Sequence, residues 1–554
     1  MLKNGLLMLA AGAFAVSCAD YNETDNFKAD PDPSVVEKYS DLAPVKTYID
    51  RAKNPNISID AVMKLTDFNK QALEHAAAIT NFNGVSFGYS FMPASYVSKK
   101  GYMNFMALKE AVNHANEIGC EIYGSPIVAN DQQPDGWFET LTAPIEVQVL
   151  PINDIDFDYS TVDEFTGISE RGKATIVKNY DANGNVLKLP TRSKIHIIDN
   201  IDIDPLGYYT VTFTVKTEKE KEETINCTFS GNKIMSGSEA KKYTIRPGAW
   251  QTVKVEASPA EGVTEGYLMI EGNLNTALYI RNVHVEHTPD NHRDQTKQEK
   301  NDTIRYALNK WCDGLMEANA GRIKTFDLID KALDTKAEIE PGILDLKHSE
   351  DKIFWQDYLE DGTQTGSELY GAVVSKVAKA AFEKFGGDPA ELQFFIGETG
   401  LENQKRLASL MYWINKWEAN GAKIDGINAE LNLTYSEDAT KQAANKETLN
   451  AMLANLAATG KKIRLSNFDI KYVDAEGVAV AATKITEAQR QQLADYYAYV
   501  IKAYMTTIPN DKQAGLCKGN MVDTTDPVGL WAKDGTYWVR TATYEAFCKA
   551  LSGQ

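Results

Sequence analysis

Ile424-Asp425-Gly426-Ile427-Asn428-Ala429-Glu430-Leu431-Asn432 reads as a short apolar strand that follows a helix. In that helix, Glu402 to Asn420, residues Leu407, Leu410, Met411, Ile414 and Trp417 share one face, the spacing of an amphipathic helix on a core. Trp417 is therefore expected inside that core and not against a ligand. The same alternation continues in both directions. Strand-like runs fall at 322–329, 392–397, 462–470 and 515–522, and earlier at 57–63, 82–91 and 120–128. Helical patterns at 66–80 and 103–118 separate the early runs. With 423–433 the strands number eight, and eight strands alternating with helices predict a parallel (β/α)8 TIM barrel.

The rhythm breaks between about 145 and 288, where the period becomes two. Tyr209, Val211, Phe213 and Val215 fall on one face, and Thr210, Thr212, Thr214 and Lys216 on the other. Val253 and Val255 alternate with Thr252, Lys254 and Glu256 in the same way. Such strands, broken by Gly and Asn, predict a jelly-roll-like β-sandwich inserted after the third barrel strand. The expected division is barrel at 45–143 and 291–554, with the insert at 144–290.

The chain has 554 residues and a net charge of −19, which argues against nucleic acid because a phosphate-binding surface needs a basic stripe. The start of the chain reads as a lipoprotein signal peptide over 1–17. Lys3 precedes the apolar run Leu6 to Phe14, and Ala15-Val16-Ser17-Cys18 resembles a bacterial lipoprotein cleavage box. Cys18 would carry the lipid, and the acidic stretch 18–44 would be a flexible tether. This leader resembles those of surface lipoproteins of the Bacteroides group, which implies an outer-membrane protein exposed at the cell surface. The scattered cysteines lack C-x-x-C spacing, so no metal is expected, nor any cofactor.

Several short motifs resemble glycoside hydrolase family 10, the endo-1,4-β-xylanases, over most of 50–138 and 298–554. Family strand four ends Trp-Asp-Val-Val-Asn-Glu-Ala with the Glu as acid/base; here Phe326-Asp327-Leu328-Ile329-Asp330-Lys331-Ala332 stands. Family strand seven reads Thr-Glu-x-Asp-Ile with the Glu as nucleophile; here it is Ser466-Asn467-Phe468-Asp469-Ile470. The strand-six run opening this section matches Ile-Asp-Gly-Ile and then departs, with Glu430 for the family's Gln and Asn432 for its His. Tyr89, Asn130 and Gln132 fall where the resemblance places other sugar-holding residues.

Both catalytic glutamates are thus replaced, by Lys331 and Asn467. An amide cannot form the glycosyl ester of a retaining mechanism, and an ammonium with an ordinary pKa of about 10.4 is a poor acid at neutral pH. The family mechanism is not expected here. Asp330, Glu398 and Glu430 lie near strand ends and could form a relocated pair, or could instead neutralise Lys331. In the insert, Trp250 falls on the polar face, where it could stack on a sugar or cover the sheet edge; Tyr208 and Tyr279 are further candidates. Three readings follow. The first is a lipoprotein that binds a xylan-like plant polysaccharide without cutting it, beside outer-membrane glycan uptake proteins. The second is a hydrolase with relocated carboxylates, and the third a structural subunit with a plugged cleft and a protein partner.

Overall fold

The computed structural model describes residues 38–553, apart from 125, 219, 221, 232–240, 260–261, 273–275 and 536. Cys18 and most of the expected tether lie outside these residues, as does the side chain of Tyr89. The chain divides into two compact units, one of residues up to Thr142 and from Thr296 onward, the other Ala143–Gln295.

The first unit is built on eight parallel strands: β1 (Ser58–Val62), β2 (Gly84–Ser86), β3 (Glu121–Tyr123), β4 (Thr325–Asp330), β5 (Gln393–Thr399), β6 (Gly426–Glu430), β7 (Lys462–Ser466) and β8 (Gln513–Lys518). Register runs from β3 through β2, β1, β8, β7, β6 and β5 to β4. The ring closes where Gly124, just past β3, bridges Phe326 of β4 in parallel; its N–H donates to Thr325 at 2.9 Å. Only glycine fits there, since an added Cβ would run into the Phe326 ring.

Helices cover the ring, and their starts follow from the sequence. Thr296, Thr365 and Thr486 each accept from the backbone three residues on, while Glu299, Glu368 and Gln489 reach back. Each such capping box satisfies helix donors that would otherwise be orphaned, worth about 1 kcal/mol. The helix Gln404–Ala419 buries Leu407, Leu410, Ile414 and Trp417 as the spacing requires, adds Trp413, and leaves Met411 half-buried. The single helix expected over 66–80 is two, Leu65–Asn69 and Leu73–Asn81, because Gln71 adopts a left-handed φ of 51° between them.

The second unit holds two antiparallel sheets around one core. One pairs Lys241–Ile245, Glu223–Gly231, Glu265–Gly272, Lys194–Asp202 and Ser169–Arg171 in that order. The other pairs Gln251–Ala257, Tyr208–Thr217, Leu278–Thr288, Gly184–Leu189 and Thr175–Asp181, with Ile152–Asp158 also on Leu278–Thr288. Tyr209, Val211, Phe213, Val215, Val253 and Val255 all lie in the shared core, as period-two alternation predicts.

Candidate functional site

The carboxyl ends of the strands open into a cavity of about 620 Å³. Ser86, Tyr123, Asp330, Glu430, Ser466 and Cys517 line it from the strands, and Met92, Asn467, Asn520 and Asp523 from the loops. This is the face on which barrels carry their sites.

Lys331 and Asn467 both line this cavity, and both have left-handed backbones, with φ of 52° and 49°. The geometry has local causes. Beyond β4 the chain turns while the Lys331 N–H still donates to the Gly397 carbonyl at 2.9 Å. Beyond β7, Asp469 N–H reaches back to the Asn467 carbonyl at 2.7 Å. Outside glycine such conformations cost of order 1–3 kcal/mol and concentrate at functional sites. Lys331 Nζ lies 2.8 Å from Glu430 Oε2 and 4.0 Å from Asp330 Oδ2. The Asn467 amide donates to the Leu431 carbonyl at 3.2 Å.

The two carboxyls near Lys331 differ. Burial pushes the Asp330 carboxyl well above the usual range, against the pull of Lys331. Asp327, three residues earlier on β4, is pushed up to about 6, again by burial, while Tyr123 and Asn428 donate to it at 2.7 and 2.8 Å and moderate the rise. Glu430 is more open, with 28% of its side chain exposed. Under this layer Arg464 pairs with Asp60 and stacks on Tyr123, its guanidinium carbon 3.8 Å from the ring centroid. Arg464 was not among the expected site residues; the signal that could have found it is a charged residue inside the apolar strand run 462–470.

Several expected residues are elsewhere. Glu398 does not line the cavity: its side chain is fully buried, accepting from Arg406 at 2.7 Å and from the Leu333 and Thr399 N–H groups. Arg406 sits on the helix after β5 and also binds the Thr399 and Asp334 carbonyls, so the pair ties two loop ends together. Glu398 is thereby removed from the relocated candidates. Asn130 is buried and joined to Gln356 and Tyr370 at 3.3 and 3.0 Å. Gln132 and Asn432 are exposed and outside the cavity lining. Tyr279 is buried, its hydroxyl donating to Glu218 and its ring 4.8 Å from that of Tyr180, so it offers no free face. Tyr208 remains 46% exposed, and Trp250 is half-buried.

A family model described as Glycosyl hydrolase family 10 matches residues 283–525. Xylanase B from Clostridium stercorarium F9 is similar in structure at 11% identity, with a TM-score of 0.50, over 92% of this chain and 99% of that one. An endo-1,4-β-xylanase from Caldicellulosiruptor owensensis is similar at 10% identity and the same TM-score of 0.50, again over 92% and 99%. No curated protein matches the sequence. At these identities the likeness concerns the fold alone, and the barrel has the fold of glycoside hydrolase family 10.

Proposed function

We propose that this protein binds a xylan-like plant polysaccharide at the barrel mouth without cutting it, held at the cell surface by lipid on Cys18. The two-sheet unit is read as a carbohydrate-binding sandwich, accessory to that binding. One observation carries the proposal. An open cavity stands at the carboxyl end of the barrel, while the two positions that the family uses for chemistry hold an ion-paired lysine and an amide.

The chemistry follows from the groups. Hydrolysis with retention needs two carboxyls about 5–5.5 Å apart, one attacking and one protonating. Asn467 supplies no nucleophile, and losing a positioned acid/base alone costs about 10²–10⁴-fold. Saccharide hydroxyls, by contrast, need mixed donors and acceptors. Lys331, Glu430, Asn467, Asn520, Ser466 and Thr524 provide both around one cavity. Among the described lining residues the aromatic ones are Phe87 and Tyr123, and both are buried. Recognition there is by hydrogen bonds and not by ring stacking.

A second reading has one observation in its favour. Burial pushes Asp330 toward its neutral form, as a general acid requires, and Glu430 is a second carboxyl in the same cavity, 2.8 Å from Lys331 Nζ. Affinity electrophoresis in xylan gels and reducing-sugar assays on the purified protein separate the readings. Retardation without sugar release supports the binding protein. Sugar release that disappears in both Glu430→Gln and Asp330→Asn supports the hydrolase.

A further inference from the structure

On the outward face of the larger sheet in residues 143–295, cations and rings alternate from strand to strand. Lys188 is opposite Tyr279 in register, and Tyr279 is opposite Lys216. Trp250 directly precedes Gln251, the residue opposite Val215, and so falls next to Lys216. Lys216 Nζ lies 5.9 Å from the Trp250 ring centroid and 5.7 Å from that of Tyr180. Lys188 Nζ is 5.5 Å from the Tyr279 ring, and the Arg281 guanidinium is 4.3 Å from that of Trp250. Tyr180 meets Trp250 edge-on at 6.1 Å. None of these residues belongs to the core between the sheets.

Three cations thus converge on three rings in a chain whose net charge is −19. The nearby acids are committed: Asp181 pairs with Arg281, and Glu218 accepts from the Tyr279 hydroxyl. Among the described residues no carboxylate lies within ion-pair distance of Lys188 or Lys216. Cations over rings are attracted to the ring faces, and Lys188 and Lys216, on either side of Tyr279 in register, put two like charges on one face of the sheet. A ligand carrying one carboxylate per sugar ring would satisfy both features, with charge-assisted hydrogen bonds to the lysines and an apolar ring face on Tyr180 or Trp250.

We propose that this row binds the uronate residues of an acidic polysaccharide. Lys188 and Lys216 hold the carboxylate, and Trp250 and Tyr180 form the platform for the sugar. This rests on the carbohydrate-binding reading of the two-sheet unit, and it concerns residues that do not line the barrel cavity.

The test is affinity electrophoresis of the full protein in gels of polygalacturonate, carboxyl-reduced polygalacturonate, dextran sulfate and neutral xylan. Expected is strong retardation by polygalacturonate, weakened at least tenfold by carboxyl reduction. The double variant Lys188→Gln/Lys216→Gln should lose it equally, with unchanged melting and unchanged retardation by xylan. Trp250→Ala should weaken it and Trp250→Phe largely restore it. Binding of polygalacturonate that the double variant retains would overturn the proposal, as would no binding of it at all while xylan still retards. Equal retardation by dextran sulfate would also overturn it, by showing a general polyanion surface. Retardation by polygalacturonate but not xylan would support this site and sink the barrel reading.

Discussion

Asp60–Arg464 on the barrel floor and Lys331–Glu430 at its mouth are both carboxylate–cation pairs between strands, in contrasting surroundings. The floor pair is sealed, its side chains 3% and 2% exposed, with Arg464 stacked on Tyr123. Tyr123 in turn donates to Asp327, which Asn428 also binds, so the pair belongs to a network spanning β1, β3, β4, β6 and β7. The mouth pair is 15% and 28% exposed and one partner sits on a left-handed residue; Arg464 also borders the cavity, but its side chain is only 2% exposed. The difference separates charges sealed inside the barrel from charges open to the cavity at its mouth. Removing a sealed partner strands the other charge in low dielectric, whereas water screens an opened pair.

The contrast can be broken at the floor first. Arg464→Met should cost about 3–5 kcal/mol of stability, the usual result of leaving a buried charge alone. Urea unfolding measures it; a loss below about 1 kcal/mol would show the floor to be as solvated as the mouth. At the mouth, Lys331→Met should change stability by about 1 kcal/mol or less, because its partner can hydrate. A loss comparable to that of Arg464→Met in the same urea titration would erase the distinction.

A smaller effect sharpens the comparison outside the ring. His75 and His114 face each other Nε2 to Nε2 at 2.9 Å, between the helices Leu73–Asn81 and Met106–Ile118, with Phe68 edge-on to both. Burial, reinforced by His114, lowers the His75 pKa to about 4 from an ordinary 6.5. The unfolded chain therefore takes up the proton first. The stability that His75 contributes is present above pH 6.5 and is lost as pH falls toward about 4. Unfolding curves at pH 7 and pH 4 should show a smaller acid-induced loss in His75→Gln than in the parent; identical losses would refute the assignment.

The eight strands were legible because apolar runs alternating with amphipathic helices leave few other topologies, and the core of the two sheets because period two separates its faces. Trp417 was legible for the same reason: its stripe had no polar member to suggest a ligand. What stayed hidden depends on partners distant in sequence. Glu398 stands at a strand end, as a catalytic carboxylate would, and only the helix carrying Arg406 shows it to be a tie between loops. Asn130 turns toward Gln356, more than two hundred residues away. Tyr279 was a candidate for stacking on a sugar, yet Tyr180 and Glu218 close over it. Left-handed backbones at Lys331 and Asn467 carry no composition signal, since neither is glycine.

The central claim is that the barrel mouth holds saccharide and leaves it whole. Titration calorimetry of xylohexaose into the purified protein, with chromatography of the recovered sugar, tests this most directly. Saturable heat and intact hexaose are expected. Xylo-oligosaccharides shorter than the hexaose, absent with Glu430→Gln, would contradict it, and so would the absence of any binding.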